Sequence, residues 1–216
     1  YQDMPGFLPA AERLDANEHP YFRSHSKKVM SISHHLAHAY SAFACSPFDD
    51  GVIMIVDGVG SYRSDVVEPF PESDTATPLA RESESYYKFS GKTIECLKKV
   101  WMEPDRGFLS DEFYNMPGLG ALYSRASTYV FGDWNKCGEL MGLAPYGRHG
   151  QIKSLMDIAG NHLTVPRWSP EFNKPYIADT GEKWETSPSM RHWEDVAWRV
   201  QDDTEKVLLA RAAWLR

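Results

Sequence analysis

One continuous stretch, SHHLAHAYSAFACSPFDDGVIMIVDGVG from Ser33 to Gly60, limits what this chain can fold into more than any other. Its first half predicts a helix over His34 to Cys45, with Ser33 in the N-cap position and Ser46-Pro47 ending it. Its second half is an apolar run closing on Asp57-Gly58-Val59-Gly60. That pattern is a buried strand delivering a carboxylate and a turn. A carboxylate at the end of such a strand emerges at a sheet edge beside the helix.

Three of the chain's eight histidines fall within this helix. Residues four apart lie one turn above each other, so His34 and His38 can aim their imidazoles at one point. His35 and His38, three apart, can converge as well, and spacing alone leaves the second ligand ambiguous. Asp57 is the obvious third ligand. Mixed histidine and carboxylate donors suit Fe(II), Zn(II) or Mn(II). The bland alternative is a set of surface or hydrogen-bonded core histidines. Gly58 and Gly60 likewise read two ways, as a hairpin whose amides approach phosphate or as a tight turn needing positive φ.

The remaining pattern is α/β. Segments Glu84 to Ser90 and Lys92 to Trp101 alternate about Ser90-Gly91 as a hairpin, and the sheet is expected to be mixed. Lys28 to Ile32 suits a short strand. Helices are predicted over Ala121 to Phe131, Cys137 to Leu143 and Ile152 to Ala159. Trp193, Val196, Ala197, Val200, Thr204, Val207 and Leu208 recur at steps of three and four on one helix face; the helix is expected to lead into a missing second lobe, which would supply the partner surface for that face. The organisation expected is a lead-in over 1–27, a lobe over 28–150, an irregular, proline-punctuated excursion over 151–190 and a helix over 191–216. Lys136 and Gly138 read either as contacts to a nucleotide or acceptor at a helix start, or as part of a helix using glycine for close packing. Arg148 reads as a phosphate contact or a solvated side chain.

Composition narrows the function classes. With 23 basic and 30 acidic residues among 216, the net charge of −7 opposes a broad footprint on nucleic acid or anionic membrane. No apolar run is long enough to span a bilayer, and the first thirty positions carry no export signal. Cys45, Cys96 and Cys137 form neither a disulfide framework nor a thiolate zinc site. They are expected to be mostly buried thiols in a reducing compartment, which points to the cytoplasm.

Taken in order, SHHLAHAYSAFACSPF, VDGVG, LGALYSRASTYVFG and KCGELMGLAPYGR resemble the carbamoyltransferase family that includes nodulation carbamoyltransferases and antibiotic O-carbamoyltransferases. HHLAHA and MGLAPYG are specific to it as a pair, and the resemblance spans roughly residues 28 to 216. It implies an actin-like, Hsp70-like ATPase fold (ribonuclease H-like), shared with threonylcarbamoyl-tRNA transferases. It also implies a metal, usually iron, on the first and last histidines of the HxxxH motif and on the Asp of the DG strand. Those positions are His34, His38 and Asp57. His35 is then expected to pack or to support the site from behind.

The implied reaction has two parts. A YrdC-like domain of the same parent protein makes carbamoyl adenylate from carbamoyl phosphate and ATP, and the actin-like domain passes the carbamoyl group to a hydroxyl of a small-molecule acceptor. Ser61 stands where the family usually has Glu. The family's Gly-rich nucleotide loop, a further metal-ligating Asp and the YrdC-like domain have no counterpart in the 216 residues, so the chain is expected to be part of a larger enzyme. Two rival expectations are a threonylcarbamoyl-tRNA transferase relative, which the net charge disfavours, and a non-catalytic scaffold, which the retained HxxxH and Asp disfavour.

Overall fold

The computed structural model describes residues 32–71, 76–102, 118–159, 162–164 and 190–215. The lead-in, residues 28–31 of the first expected strand and most of the 151–190 excursion lie outside the described residues. Helix α1 (His34–Cys45) and strand β1 (Asp50–Val56) fall where the opening stretch predicts them. The hairpin follows as β2 (Arg81–Ser90) and β3 (Thr93–Met102), turning at Gly91, whose φ of 56° favours glycine.

The sheet order is β1-β2-β3, and both pairings are antiparallel. Among the described residues it is therefore not the mixed sheet expected. Two register shifts interrupt the β2–β3 ladder. Glu82 faces Trp101 and Glu84 faces Val100, which leaves Ser83 as an extra residue on β2. A bulge of this kind re-aims the flanking side chains. Here it lets Glu82 and Ser85 reach the same layer, beneath α1, where both contact His35 and Lys99.

Leu36 and Ala39 of α1 pack on Ile53, Tyr87, Phe89 and Cys96 from all three strands. A second core joins α2 (Leu119–Phe131), α3 (Cys137–Leu143) and α4 (Met190–Trp214). Trp193, Val196, Ala197, Val200 and Val207 are the buried stripe of α4, as the periodicity predicts. Its partner surface is supplied from within the chain, by α2 and α3. The two cores meet where Val59 packs on Met102 and Ala121, and where Arg211 of α4 donates to Glu84 of β2 at 3.1 Å with both side chains buried.

Ile152 to Ala159 is not a helix. Asp157–Ala159 is strand β4, antiparallel to β5 (His162–Thr164). The preceding backbone is satisfied by α4 instead of by itself: Leu155 N donates to Asp203 Oδ2 at 2.7 Å, and Arg199 Nε donates to Ile152 O at 2.9 Å. Local propensity lost to these long-range partners. Of the three cysteines Cys96 is buried, its thiol pushed up to about 11 by burial, while Cys137 is half-buried and Cys45 is exposed, contrary to expectation.

Two tests follow from this packing. Arg211→Met leaves the Glu84 carboxylate buried without its guanidinium, and equilibrium urea unfolding is expected to show a loss of about 3–5 kcal/mol. Arg148 is bound to a carboxylate of its own chain. Its Nη2 and Nε reach Asp195 at 2.6 and 3.2 Å, its backbone N reaches the same carboxylate at 2.8 Å, and these contacts hold Asp195 below the usual carboxylate range. Because folding lowers this pKa, the contact stabilises the folded chain above the unfolded value of about 3.9 and fades as pH falls through the folded value. Thermal melts should therefore separate Arg148→Met from the parent at pH 7 and converge once pH falls below the folded value.

Candidate metal centre

Helix α1 begins one residue after Ser33, but the Ser33 hydroxyl does not cap it. It donates to both carboxylate oxygens of Glu68, at 2.8 and 2.7 Å. The first-turn amides find acceptors elsewhere. His34 N donates to Ser61 Oγ at 2.9 Å, and His35 N donates to Glu82 Oε2 at 3.3 Å. Ser61 thus caps the helix from across the site.

This docking brings the helix face against the end of β1. His34 Nε2 lies 2.7 Å from Asp57 Oδ2 and 3.0 Å from His38 Nε2. One ligand atom from each of His34, His38 and Asp57 lies within 4.8 Å of the others. Of the two histidine pairs left open by spacing, the structure brings His34 and His38 together with Asp57. Two imidazoles and a carboxylate crowding one point, on an accessible face, are a donor set that a divalent cation fits. The same side chains also hydrogen-bond one another. The Asp57 contact raises His34 above the ordinary histidine value in spite of burial. Burial pushes the Asp57 carboxyl up, but His34 and the Gly58 amide at 2.7 Å outweigh it and hold the group below its usual range.

His35 points the other way, into the core. It is fully buried, its Nδ1 shares a 2.7 Å hydrogen bond with Ser85 Oγ, and burial followed by the nearby Lys99 charge lowers it to about 3. At neutral pH it is an uncharged core residue. Below it sits a polar network that sequence reasoning missed. Lys99 Nζ is buried between Glu82 Oε1 at 2.5 Å and Glu68 Oε1 at 2.7 Å, and donates to Tyr87 Oη at 3.0 Å. Burial alone lowers the ammonium, yet the Glu82 charge and these bonds hold it above the ordinary lysine value. The only trace in the sequence is charge inside otherwise strand-like segments, a Glu at 82 and a Lys at 99.

Gly60 and Gly120 have steric reasons. Neither Gly58 nor Gly60 has a positive φ. A methyl at Gly60 would lie 2.6 Å from Glu82 Cβ and 2.8 Å from His35 Cδ2; one at Gly120 would lie 2.5 Å from the Asp57 carbonyl. Gly120 thereby lets the first turn of α2 rest on the Asp57-Gly58 backbone. Gly138 is different, because a methyl there meets nothing within 4 Å, so close packing does not explain it. Lys136 pairs on the surface with Glu139 at 3.3 Å. No hydrogen bond among the described residues joins Lys136 or Gly138 to the histidine–aspartate group.

Residues 10–184 match the family described as Carbamoyltransferase N-terminus. The chain belongs to that family. It is 37% identical over 151 residues to nodulation protein NolNO of Sinorhizobium fredii, covering 66% of this chain and 17% of that protein. It is 28% identical over 198 residues to the uncharacterized protein sll1178 of Synechocystis, covering 82% of this chain and 26% of that one. The chain thus spans about a quarter or less of the length of these relatives.

The steric reading separates two glycine substitutions. Gly60→Ala forces Glu82 and His35 apart and should cost about 1–3 kcal/mol in urea unfolding. Gly138→Ala, in the first turn of α3 with open space around it, should instead stabilise by about 0.5–1 kcal/mol.

Proposed function

We propose that this chain is the metal-carrying portion of a carbamoyltransferase, with His34, His38 and Asp57 as the protein ligands of a divalent cation. Iron(II) is favoured, with zinc or manganese as the alternatives that the same donors accept. The observation that carries this reading is the convergence of those three side chains in a chain of the carbamoyltransferase amino-terminal family. When bound, such a cation supplies Lewis-acid polarisation of an oxygen.

The protein's own contribution is placement. Asp57 stays ionised, its second oxygen held by the Gly58 amide. His34 and His38 present ring nitrogens from successive turns of one helix, and His35, uncharged at neutral pH, packs behind them on Ser85.

In this reading the group transferred is carbamoyl, derived from carbamoyl phosphate and ATP through carbamoyl adenylate made by a YrdC-like domain of the parent enzyme, and the acceptor is a hydroxyl of a small molecule such as a sugar or natural product. The site closes against a second lobe of an actin-like fold, in the cytoplasm. Among the described residues no helix is long and apolar enough to cross a membrane, and the net charge of −7 favours a small acceptor over tRNA.

The test uses the full-length parent protein with carbamoyl phosphate, ATP and a panel of hydroxyl acceptors. Asp57→Ala and His38→Ala should lower metal content and carbamoyl transfer at least as far as the roughly 10–100-fold known for loss of outer-shell partners. Adenylate formation, assigned to the other domain, should persist. Normal transfer by Asp57→Ala with metal lost would remove the metal from the reaction.

A further inference from the structure

Three segments distant in sequence must be held together before His34, His38 and Asp57 can converge: the first turn of α1, the turn after β1 and the start of β2. One carboxylate touches all of them. Glu82 Oε2 accepts from His35 N at 3.3 Å and from Ser61 N at 2.9 Å, while Oε1 takes Lys99 Nζ at 2.5 Å. The Glu82 backbone completes the clasp, its O accepting from Gly60 N at 2.8 Å and its N donating to Ser61 O at 3.0 Å. Ser61 adds the second hold on the helix, its hydroxyl receiving His34 N at 2.9 Å.

We infer that Glu82 and Ser61 are positioning residues, which set the His34–Asp57 contact by fastening the first turn of α1 to the Asp57 turn without ligating anything themselves. The physical grounds are threefold. An ionised carboxylate at a helix N-terminus faces free amides and the positive end of the helix dipole, so it fixes that end in place. Glu82 is completely buried, so its oxygens have no water to exchange for these partners. Gly60, finally, admits no Cβ between Glu82 and His35, so the clasp has no slack. A residue acting on ligands from behind in this way commonly changes metal affinity by about 10–100-fold.

The importance of this geometry for metal rests on the metal-centre reading above, and the experiment separates the two. Long-range proton–nitrogen correlation spectra of the metal-free protein report the hydrogen bonding of the His34 ring, and a cobalt(II) titration of the same sample reports affinity. The variants are Glu82→Gln, in which Lys99 keeps Glu68, and Ser61→Ala, which removes a single acceptor from a half-buried residue. Val207→Ala, in the other core, is the control for general destabilisation.

The expected result is that both site variants shift the His34 ring nitrogens away from the parent values and weaken cobalt binding, Glu82→Gln by about 10–100-fold and Ser61→Ala by less, while Val207→Ala changes neither. Unaltered His34 spectra in folded Glu82→Gln and Ser61→Ala would overturn the inference, as would equal losses in Val207→Ala. Should Glu82→Gln fail to fold, the Ser61→Ala spectrum decides. Shifted His34 spectra in the two site variants, with a parent protein that takes up no cobalt, would sustain the positioning role and overturn the metal-centre reading alone.

Discussion

A buried carboxylate cannot be left with unfilled lone pairs, and Glu82 is where that constraint organises this molecule. Desolvating Glu82 and Lys99 costs several kcal/mol per ion. The cost is offset only where each charge meets all its partners, and those partners come from α1, the Asp57 turn and β3. Because every one of them must arrive for the pair to be tolerated, the ion pair specifies relative placement more than it adds stability. The bulge at Ser83 is part of the same device, since it turns Glu82 into the layer occupied by Ser85 and Lys99.

The second hold on the site comes from the helical core. Gly118 and Gly120 bring the start of α2 against Ser83 and the Asp57-Gly58 backbone at distances that no side chain would permit. On the far side of β2, Tyr86 donates to Glu84, Arg211 of α4 binds the same carboxylate, and Trp214 meets Tyr86 edge-on with ring centroids 5.2 Å apart. The strand that carries Glu82 is therefore buried on both faces, and the carboxylate of Asp57 sits at the seam between two separately packed cores.

How much of this was legible in the sequence depends on the range of the interaction responsible. The helix at His34, the strand ending at Asp57, the hairpin and the stripe of α4 are written in short-range periodicity and turn chemistry, and the structure has them. The His34–His38 pair was readable because residues four apart on a helix converge, although spacing left His35–His38 open beside it, and the structure brings His34 and His38 together with Asp57. What was lost is what distant partners decide. Ser33 is a good capping residue whose hydroxyl is drawn to Glu68, so the cap is made by Ser61. Ile152 to Leu155 has helical residues whose backbone is claimed by Arg199 and Asp203. Gly60, read either as a phosphate-approaching turn or as a torsional necessity, has no positive φ and meets a steric limit instead. Lys99 and Glu82, the pair beneath the site, carry no local signature beyond their charge in a strand.

The most direct measurement on the central claim is the anomalous diffraction of a crystal of the metal-loaded protein, read for the positions of the ligand atoms. A single ion about 2.0–2.2 Å from the Nε2 atoms of His34 and His38 and from a carboxylate oxygen of Asp57 is the expected result. An ion seated on other side chains, or a metal-replete crystal in which His34 remains hydrogen-bonded to Asp57 with no ion between the histidines, would contradict it.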